Sequence, residues 1–341
     1  MAAKTANVID RKASNIKEQA EEIMDMHGIP VSLWGIAHND QYIATIGNGV
    51  TVWNRATLDL VHHFAGMRWI HGGIFVNDDV LMVYTGEQKL FFFQISQRKL
   101  LWAVPRPSEL DSSGDMCCCH IPGTEKIACI ARGRKSLNDL FLLTVDWNAQ
   151  ELCLQCIPDC YRVVSNFVWT QQLGLTFLSR QAKGDDTTMV FRIHQVDNIG
   201  KSLILYSGES THSILAYSGN YLFMADYSST PPKSSVYPLE QSSVRDNLKL
   251  GSPLSLPILP LLEKGPVGTQ RFIFPRICWI NEKTGLLVAC SNRKSVGIYD
   301  FLNAKMISEY PNGKVLYGKL LDGRLLIGCA SGFAVELLNR E

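Results

Sequence analysis

The chain has 341 residues, of which 46% are hydrophobic and 19% are charged, a composition typical of a globular protein that buries a large core. Its 33 lysines and arginines nearly balance its 32 aspartates and glutamates, which disfavours a strongly basic nucleic-acid-binding protein. The first thirty residues lack the apolar core of a secretory signal, and prolines interrupt the longest apolar stretch, residues 248–262, so we expect a cytoplasmic protein without membrane contact.

A short helix is predicted near the start of the chain, over residues 15–27 within an N-terminal helical segment, residues 1–30. Asn15 is a suitable N-cap, and Glu18 stands three residues later, as in a capping box. Gly28 follows the last apolar residue of the pattern and is expected to end the helix. Its apolar face would either pack on the rest of the protein or bind a partner.

After this segment, the sequence repeats a unit of two short strands joined by a turn, such as the turn predicted at residues 301–303. The interval between units is roughly 40 to 60 residues, which is mostly the range of propeller blades. The first strands of the seven units are residues 50–54, 90–93, 140–145, 190–194, 235–237, 296–300 and 333–338.

Two further strands are predicted to precede each unit. In the first unit they are residues 31–37 and 41–46, with a glycine-containing turn leading into the next strand. Four strands per unit and seven units predict an all-β protein, a seven-bladed β-propeller over residues 31–341, because radial repetition of small sheets leaves few exposed edges. A strand from the N-terminal segment, near residues 6–9, would complete the last unit.

Two dipeptides indicate a family resemblance. Tyr299-Asp300 stands where WD-type repeats carry Trp-Asp, and Trp53-Asn54 is similar. The chain thus resembles the WD-repeat-like β-propeller superfamily over roughly residues 31 to 341. The resemblance implies a propeller fold and protein binding as a common function, and it implies no catalytic residue.

One segment departs from the regular spacing. Residues 238–270 contain five prolines with leucines between them and are predicted to form a long insertion in the propeller. Long loops of this kind are often functional. The segment would either cover a blade or offer its leucines to a partner.

The ten cysteines invite a search for a metal or disulfide site. Residues 117–120 read Cys-Cys-Cys-His, but successive side chains of a strand point to opposite faces, so the four would not converge. Cys153, Cys156 and Cys160 lack the tight turn that brings zinc ligands to one point. We therefore predict reduced thiols, mostly in the core, with no metal and no cofactor.

Basic residues are concentrated in the turns between the second and third strands of several units. In a propeller these turns share one face, where arginine and lysine would attract acidic peptides or phosphate. Acidic residues are more frequent in the turns predicted on the opposite face. The predicted partner-binding residues are Arg132, Arg134, Lys135, Arg180, Lys183, Arg293 and Lys294.

The sequence thus favours a non-enzymatic protein-interaction scaffold that binds an acidic or phosphorylated partner through this basic loop face. The alternative is an enzyme or small-molecule binder with a site in a central channel, where Arg68, His120, Arg162 and Arg271 would lie. Nucleic acid is a weaker candidate for the same basic face, because the net charge is only +1. No linear catalytic motif is present, so an enzyme is the less favoured reading.

Overall fold

A computed structural model describes the chain in segments from Leu33 to Leu337. The described residues are 33–47, 49–87, 89–109, 117–124, 126–132, 140–157, 162–163, 168–183, 188–197, 201–210, 213–226, 233–242, 248–256, 276–281, 286–290, 295–303, 305–311, 315–321, 324–329 and 332–337. Most of them lie in strands, and this part of the chain contains no helix. The predicted N-terminal helix and the strand proposed near residues 6–9 lie outside the described residues.

The first eight strands form two four-stranded sheets, sheet 1 with the order β1-β2-β3-β4 and sheet 2 with the order β5-β6-β7-β8. In each sheet the strands follow one another along the chain. The bounds are β1 Leu33–His38, β2 Tyr42–Gly47, β3 Val50–Asn54, β4 Leu60–Phe64, β5 Ile70–Phe75, β6 Val80–Thr85, β7 Lys89–Gln94 and β8 Lys99–Pro105.

The next fourteen strands form sheets 3, 4 and 5. The bounds are β9 Cys117–His120, β10 Lys126–Arg132, β11 Leu140–Asp146, β12 Glu151–Ile157, β13 Arg162–Val163, β14 Val168–Thr170, β15 Gly174–Lys183, β16 Thr188–Val196, β17 Ser202–Ser210, β18 Ser213–Tyr217, β19 Tyr221–Asp226, β20 Lys233–Gln241, β21 Leu248–Leu250 and β22 Leu254–Leu256. Sheet 3 has the order β12-β11-β10-β9, sheet 4 the order β13-β15-β16-β17 and sheet 5 the order β18-β19-β20-β21. Two short strands are added, because β14 pairs with β15 and β22 pairs with β20.

The last seven strands form sheets 6 and 7. The bounds are β23 Arg276–Asn281, β24 Leu286–Cys290, β25 Ser295–Asp300, β26 Lys305–Pro311, β27 Val315–Leu321, β28 Arg324–Cys329 and β29 Gly332–Leu337. Sheet 6 has the order β23-β24-β25-β26, and sheet 7 has the order β27-β28-β29 among the described residues. The prediction of an all-β chain built from repeated small antiparallel sheets is therefore confirmed.

Part of the predicted insertion, residues 238–270, contains strands. The end of β20, together with β21 and β22, lies within it. In the register, Leu239 is opposite Leu250, and Val236 is opposite Leu254. Residues 257–270 lie outside the described residues.

The chain divides into two compact units. Unit 1 comprises residues 1–104, 260–300 and 305–341, and unit 2 comprises residues 105–259 and 301–304. Unit 1 therefore contains sheets 1, 2, 6 and 7. Within it β1 contacts β5 of sheet 2 as well as β27 and β28 of sheet 7, and β27 contacts β23 and β24. The last sheet of the chain thus lies between sheet 6 and sheet 1.

Sheets 1 and 2 share one apolar core in unit 1. Ile46 and Val52 of sheet 1 belong to the same buried cluster as Val83 and Phe93 of sheet 2. The rings of Phe64 and Phe93 lie 4.4 Å apart between their centroids. Each fully buried side chain of this size contributes about 1.5–3 kcal/mol of hydrophobic free energy, so the shared core holds the two sheets together.

In unit 2, sheet 4 is buried on both faces. Phe177 and Leu178 are consecutive in β15, so their side chains point to opposite faces, and both are fully buried. Phe177 packs in a cluster with Leu142 of sheet 3, and Leu178 packs in a cluster with Leu222 of sheet 5. Burial of both faces explains why β15 begins as a nearly continuous apolar run.

Candidate partner-binding surface

Three of the seven predicted partner-binding residues lie in described strands of unit 2. Arg132 is the last residue of β10, and Lys183 is the last residue of β15. Counted from the edge strands β9 and β13, β10 and β15 are each the second strand in the order of pairing. These two residues therefore occupy equivalent positions in sheets 3 and 4. The other four predicted residues, Arg134, Lys135, Arg293 and Lys294, lie outside the described residues.

The structure places all three of these residues in strands, whereas the sequence analysis assigned them to turns; Arg132 belongs to β10. Arg180 and Lys183 lie inside β15, because the antiparallel pairing with β16 continues to the pair Lys183 and Thr188. Backbone hydrogen bonds thus extend the hairpin beyond the buried residues Phe177 and Leu178. Arg180 is half-buried, and its register partner Phe191 is buried in the core.

Lys183 is already engaged within sheet 4. Its Nζ donates hydrogen bonds to both carboxylate oxygens of Glu209, at 2.8 and 2.6 Å. Both side chains are about half exposed, so the ion pair stabilises the fold by no more than about 1 kcal/mol. An acidic ligand at Lys183 would therefore compete with Glu209 for the ammonium group.

Three of the four residues proposed for a central channel lie among the described residues. His120 Nε2 lies 2.6 Å from the carbonyl oxygen of Thr124, in the exposed turn that follows β9. Arg162 is opposite Arg180 in the register of β13 with β15. Arg68 is exposed in unit 1, and Arg271 lies outside the described residues.

A buried histidine in sheet 4 joins three neighbouring strands. His194 of β16 is 2% exposed; its Nε2 lies 2.8 Å from Ser179 Oγ of β15, and its Nδ1 lies 3.0 Å from Ser202 Oγ of β17. The ring also stacks on Phe177, with 4.7 Å between centroids. Burial, assisted by the charge of Arg192, lowers the pKa of His194 to about 4. The ring is therefore neutral at pH 7 and satisfies both serines, which is a structural role.

The prediction that the thiols lie mostly in the core does not hold for the five cysteines with described side chains, of which one is buried. Cys129 is buried and Cys118 and Cys119 are partly exposed, whereas Cys153 and Cys156 are exposed. The exposed pair lies on β12, which is an edge strand of sheet 3. Among the described residues, no group of three or more histidine, cysteine, aspartate or glutamate side chains is placed to hold a metal ion.

One exposed aromatic residue was not anticipated from the sequence. Trp69, just before β5, is 75% exposed and has a φ of +51°, which is rare for a bulky residue. Its carbonyl oxygen accepts a hydrogen bond from the Gly86 amide at 2.7 Å. Exposed Arg68 precedes it, and tryptophan and arginine are both enriched at the centres of protein interfaces.

Comparison with known proteins gives a likeness of fold alone. No protein-family model matches the chain, and no curated protein matches its sequence. No helix in the described residues is long and apolar enough to cross a membrane. Among solved structures, the chain is similar to the crystal structure of the computationally designed Ika8 protein, with a TM-score of 0.53 and 11% identity over 91% of this chain and 98% of that chain.

Proposed function

We propose that this protein is a non-enzymatic interaction scaffold of the cytoplasm, built as a seven-bladed β-propeller related to the WD-repeat-like superfamily. It binds an acidic or phosphorylated protein segment through a basic surface. We define this surface by Arg132, Arg134, Lys135, Arg180, Lys183, Arg293 and Lys294.

The arrangement of sheets in unit 1 supports the closed ring. Sheet 7 ends at Leu337, yet its strand β27 contacts β1 as well as β23. A chain whose last sheet neighbours its first sheet has the arrangement that closure of a propeller requires. The small four-stranded sheets, each formed in chain order, support the same proposal.

The observation that carries the binding function is the equivalence of Arg132 and Lys183. Each ends the second strand of its sheet, and sheets 3 and 4 share an apolar core. Repetition of a cation at one position of neighbouring repeats concentrates positive charge along one edge of unit 2. Arginine binds carboxylate and phosphate in a bidentate manner, which suits Arg132 to this role.

The ion pair of Lys183 with Glu209 makes the proposal sharper. An incoming phosphate or carboxylate would exchange with the Glu209 carboxylate at the Lys183 ammonium. Removal of the Glu209 charge should therefore strengthen binding, because the competitor is lost and the local potential becomes more positive. A mainly structural role for Lys183 predicts no such gain.

The test uses the full chain and an array of acidic and phosphorylated peptides, with the best binder labelled for fluorescence anisotropy. We expect Arg132→Glu to weaken binding about tenfold or more, and Glu209→Gln to strengthen it severalfold. The matched control is Lys126→Glu, which makes the same charge change at the opposite end of β10 and should leave the affinity unchanged. Rising salt should weaken binding by the wild type.

Two outcomes would reject the proposal. Equal affinities for Arg132→Glu and Lys126→Glu would show that binding does not depend on this edge of unit 2. Selection of labelled single-stranded DNA over every peptide, with a steep salt dependence, would assign the basic surface to nucleic acid instead.

A further inference from the structure

Two thiols of sheet 3 face each other across neighbouring strands. Cys118 of β9 and Cys129 of β10 are direct register partners, and their Sγ atoms lie 3.1 Å apart. Directly opposed residues of antiparallel strands have Cα atoms about 4.5–5.5 Å apart, within the range that a disulfide spans. A bond between these sulfurs therefore needs only a small movement of the two side chains.

The neighbouring cysteine shows that this geometry is specific. Cys119 is opposite Ala128, so no thiol faces it across the strands, and its Sγ donates to the carbonyl oxygen of His120 at 3.2 Å. Cys153 and Cys156 belong to the same sheet but are opposite Thr144 and Phe141. Among the cysteines with described side chains, only Cys118 and Cys129 are register partners.

We propose that Cys118 and Cys129 form a reversible dithiol–disulfide site that joins β9 covalently to the rest of sheet 3. The oxidant is a low-molecular-weight disulfide, with glutathione disulfide as the probe. This site is separate from the basic surface and does not depend on the proposed binding function.

The chemistry takes place in two thiol–disulfide exchanges. When β9 is transiently released, the Cys118 thiol loses its proton and attacks one sulfur of glutathione disulfide, and the first glutathione leaves as a thiol. The Cys129 thiolate then attacks Cys118 Sγ in the mixed disulfide and releases the second glutathione. Two protein thiols are oxidised to one disulfide, and one glutathione disulfide is reduced to two glutathione thiols.

The surroundings make this exchange slow. The hydrogen bond that the Cys118 thiol donates to Cys129 Sγ, together with burial, raises the pKa of Cys118, and burial raises the pKa of Cys119 to about 11. Thiolate is the attacking species, so little of either thiol is reactive at pH 7. Reaction requires transient release of β9, an edge strand that has only four paired positions. The bond would then hold this weakly attached strand in place.

The experiment equilibrates the full-length protein in glutathione buffers of increasing oxidised fraction. The protein is quenched in acid, alkylated, digested with trypsin and analysed by mass spectrometry. Lys126 lies between the two cysteines, so trypsin separates them in the reduced protein, whereas a disulfide keeps the two peptides joined. Fragmentation of the joined peptides assigns the bond in the wild type, without reliance on a variant.

We expect a single internal bond between Cys118 and Cys129, and mixed glutathione disulfides at Cys153 and Cys156. Cys118→Ser and Cys129→Ser should abolish the internal bond, and the control Cys119→Ser should keep it at the same buffer midpoint. Oxidation should raise the unfolding temperature of the wild type by roughly 5–10 °C, since the bond constrains the unfolded chain. Absence of the joined peptides at every ratio, or their persistence in Cys118→Ser, would overturn the proposal.

Discussion

Asn39 of sheet 1 and Asn77 of sheet 2 occupy the same turn of their sheets, and the Asn39 side-chain amide donates a 3.2 Å hydrogen bond to the Asn77 carbonyl oxygen. The Asn39 amide also donates to the Asp78 carbonyl oxygen at 3.0 Å. Each asparagine additionally closes its own turn, because its Oδ1 accepts hydrogen bonds from two following amides. Of these two described asparagines, Asn39 combines a local turn with a link between two sheets.

We expect Asn39→Asp to destabilise the protein by about 1–2 kcal/mol. Aspartate keeps the Oδ1 acceptor and thus the turn, but it loses both donated hydrogen bonds and places a negative charge beside two carbonyl oxygens. Urea denaturation of the full chain measures the change. The control is Asn77→Asp, which keeps the acceptor and loses no hydrogen bond to another sheet. Equal losses for the two variants would contradict the role given to the Asn39 amide.

A second prediction concerns acid stability. The pKa of His194 is lowered from 6.5 to about 4 in the folded protein, so between these values the unfolded chain binds a proton that the folded chain does not. The contribution of neutral His194 to stability is therefore complete above pH 6.5 and is lost as the pH falls toward 4. A shift of this size corresponds to roughly 3 kcal/mol across that window.

The measurement is the unfolding midpoint in urea at a series of pH values. His194→Gln keeps polar hydrogen-bonding atoms but does not titrate, so we expect a lower midpoint at pH 7 and a weaker decline between pH 6.5 and 4. His71→Gln, at an exposed position, should follow the wild-type curve. Parallel curves for His194→Gln and wild type would show that another group causes the acid sensitivity.

Asp79 offers a third test, because its carboxylate connects two turns of sheet 2. It accepts hydrogen bonds from the Ser96 amide, the Ser96 hydroxyl and the Gln94 side chain, at 2.7, 2.6 and 3.0 Å. Burial raises the pKa of Asp79, but the hydrogen bonds from Ser96 and Gln94 outweigh burial and lower it overall. We expect Asp79→Ala to cost about 1–2 kcal/mol, and Asp78→Ala, at the exposed neighbouring position, to be nearly neutral in the same thermal melt.

At position 69 we expect glycine to give a more stable protein than alanine, the reverse of the usual result. At most positions glycine is about 1 kcal/mol less stable than alanine, because it loses more backbone freedom on folding. The φ of +51° at Trp69 is strained for alanine and not for glycine. We therefore expect Trp69→Gly to melt at a higher temperature than Trp69→Ala. The control is Leu100, which is exposed on β8 and has no positive φ, so Leu100→Ala should melt at a higher temperature than Leu100→Gly. A higher melting temperature for Trp69→Ala than for Trp69→Gly would contradict backbone strain at Trp69.

The strands were the most predictable part of this protein, for a physical reason. The bounds predicted for β3, residues 50–54, agree with the structure, because a short run of strand-forming residues is a local property of the sequence. The ends of strands were predicted less accurately where backbone pairing continues beyond the apolar residues. The strand predicted at residues 190–194 is β16, Thr188–Val196, since backbone hydrogen bonds extend the hairpin beyond its apolar residues.

Contacts between distant residues could not be predicted in the same way. Phe301 lies in a predicted turn, yet it is fully buried and packs edge-on against Tyr221 and Phe223, at 5.0 and 5.7 Å between ring centroids. No local pattern links residues about eighty positions apart. The pairing of Lys183 with Glu209 was missed similarly, because it depends on the order of strands within sheet 4. The sequence thus predicts which cations belong to the candidate surface. It does not predict which of them already pair with a carboxylate of the same chain.

The division of the chain has a consequence for biosynthesis. Unit 2 is contained in one continuous stretch, residues 105–259, apart from the short turn at 301–304, whereas unit 1 is assembled from segments on both sides of it. During translation, sheets 3, 4 and 5 emerge from the ribosome before β23 to β29 do. We therefore expect the residues of β1 that contact β27 to remain exposed on sheets 1 and 2 until the final strands have been synthesised. That interval, set by the rate of synthesis, is the period in which a nascent chain would most need a chaperone.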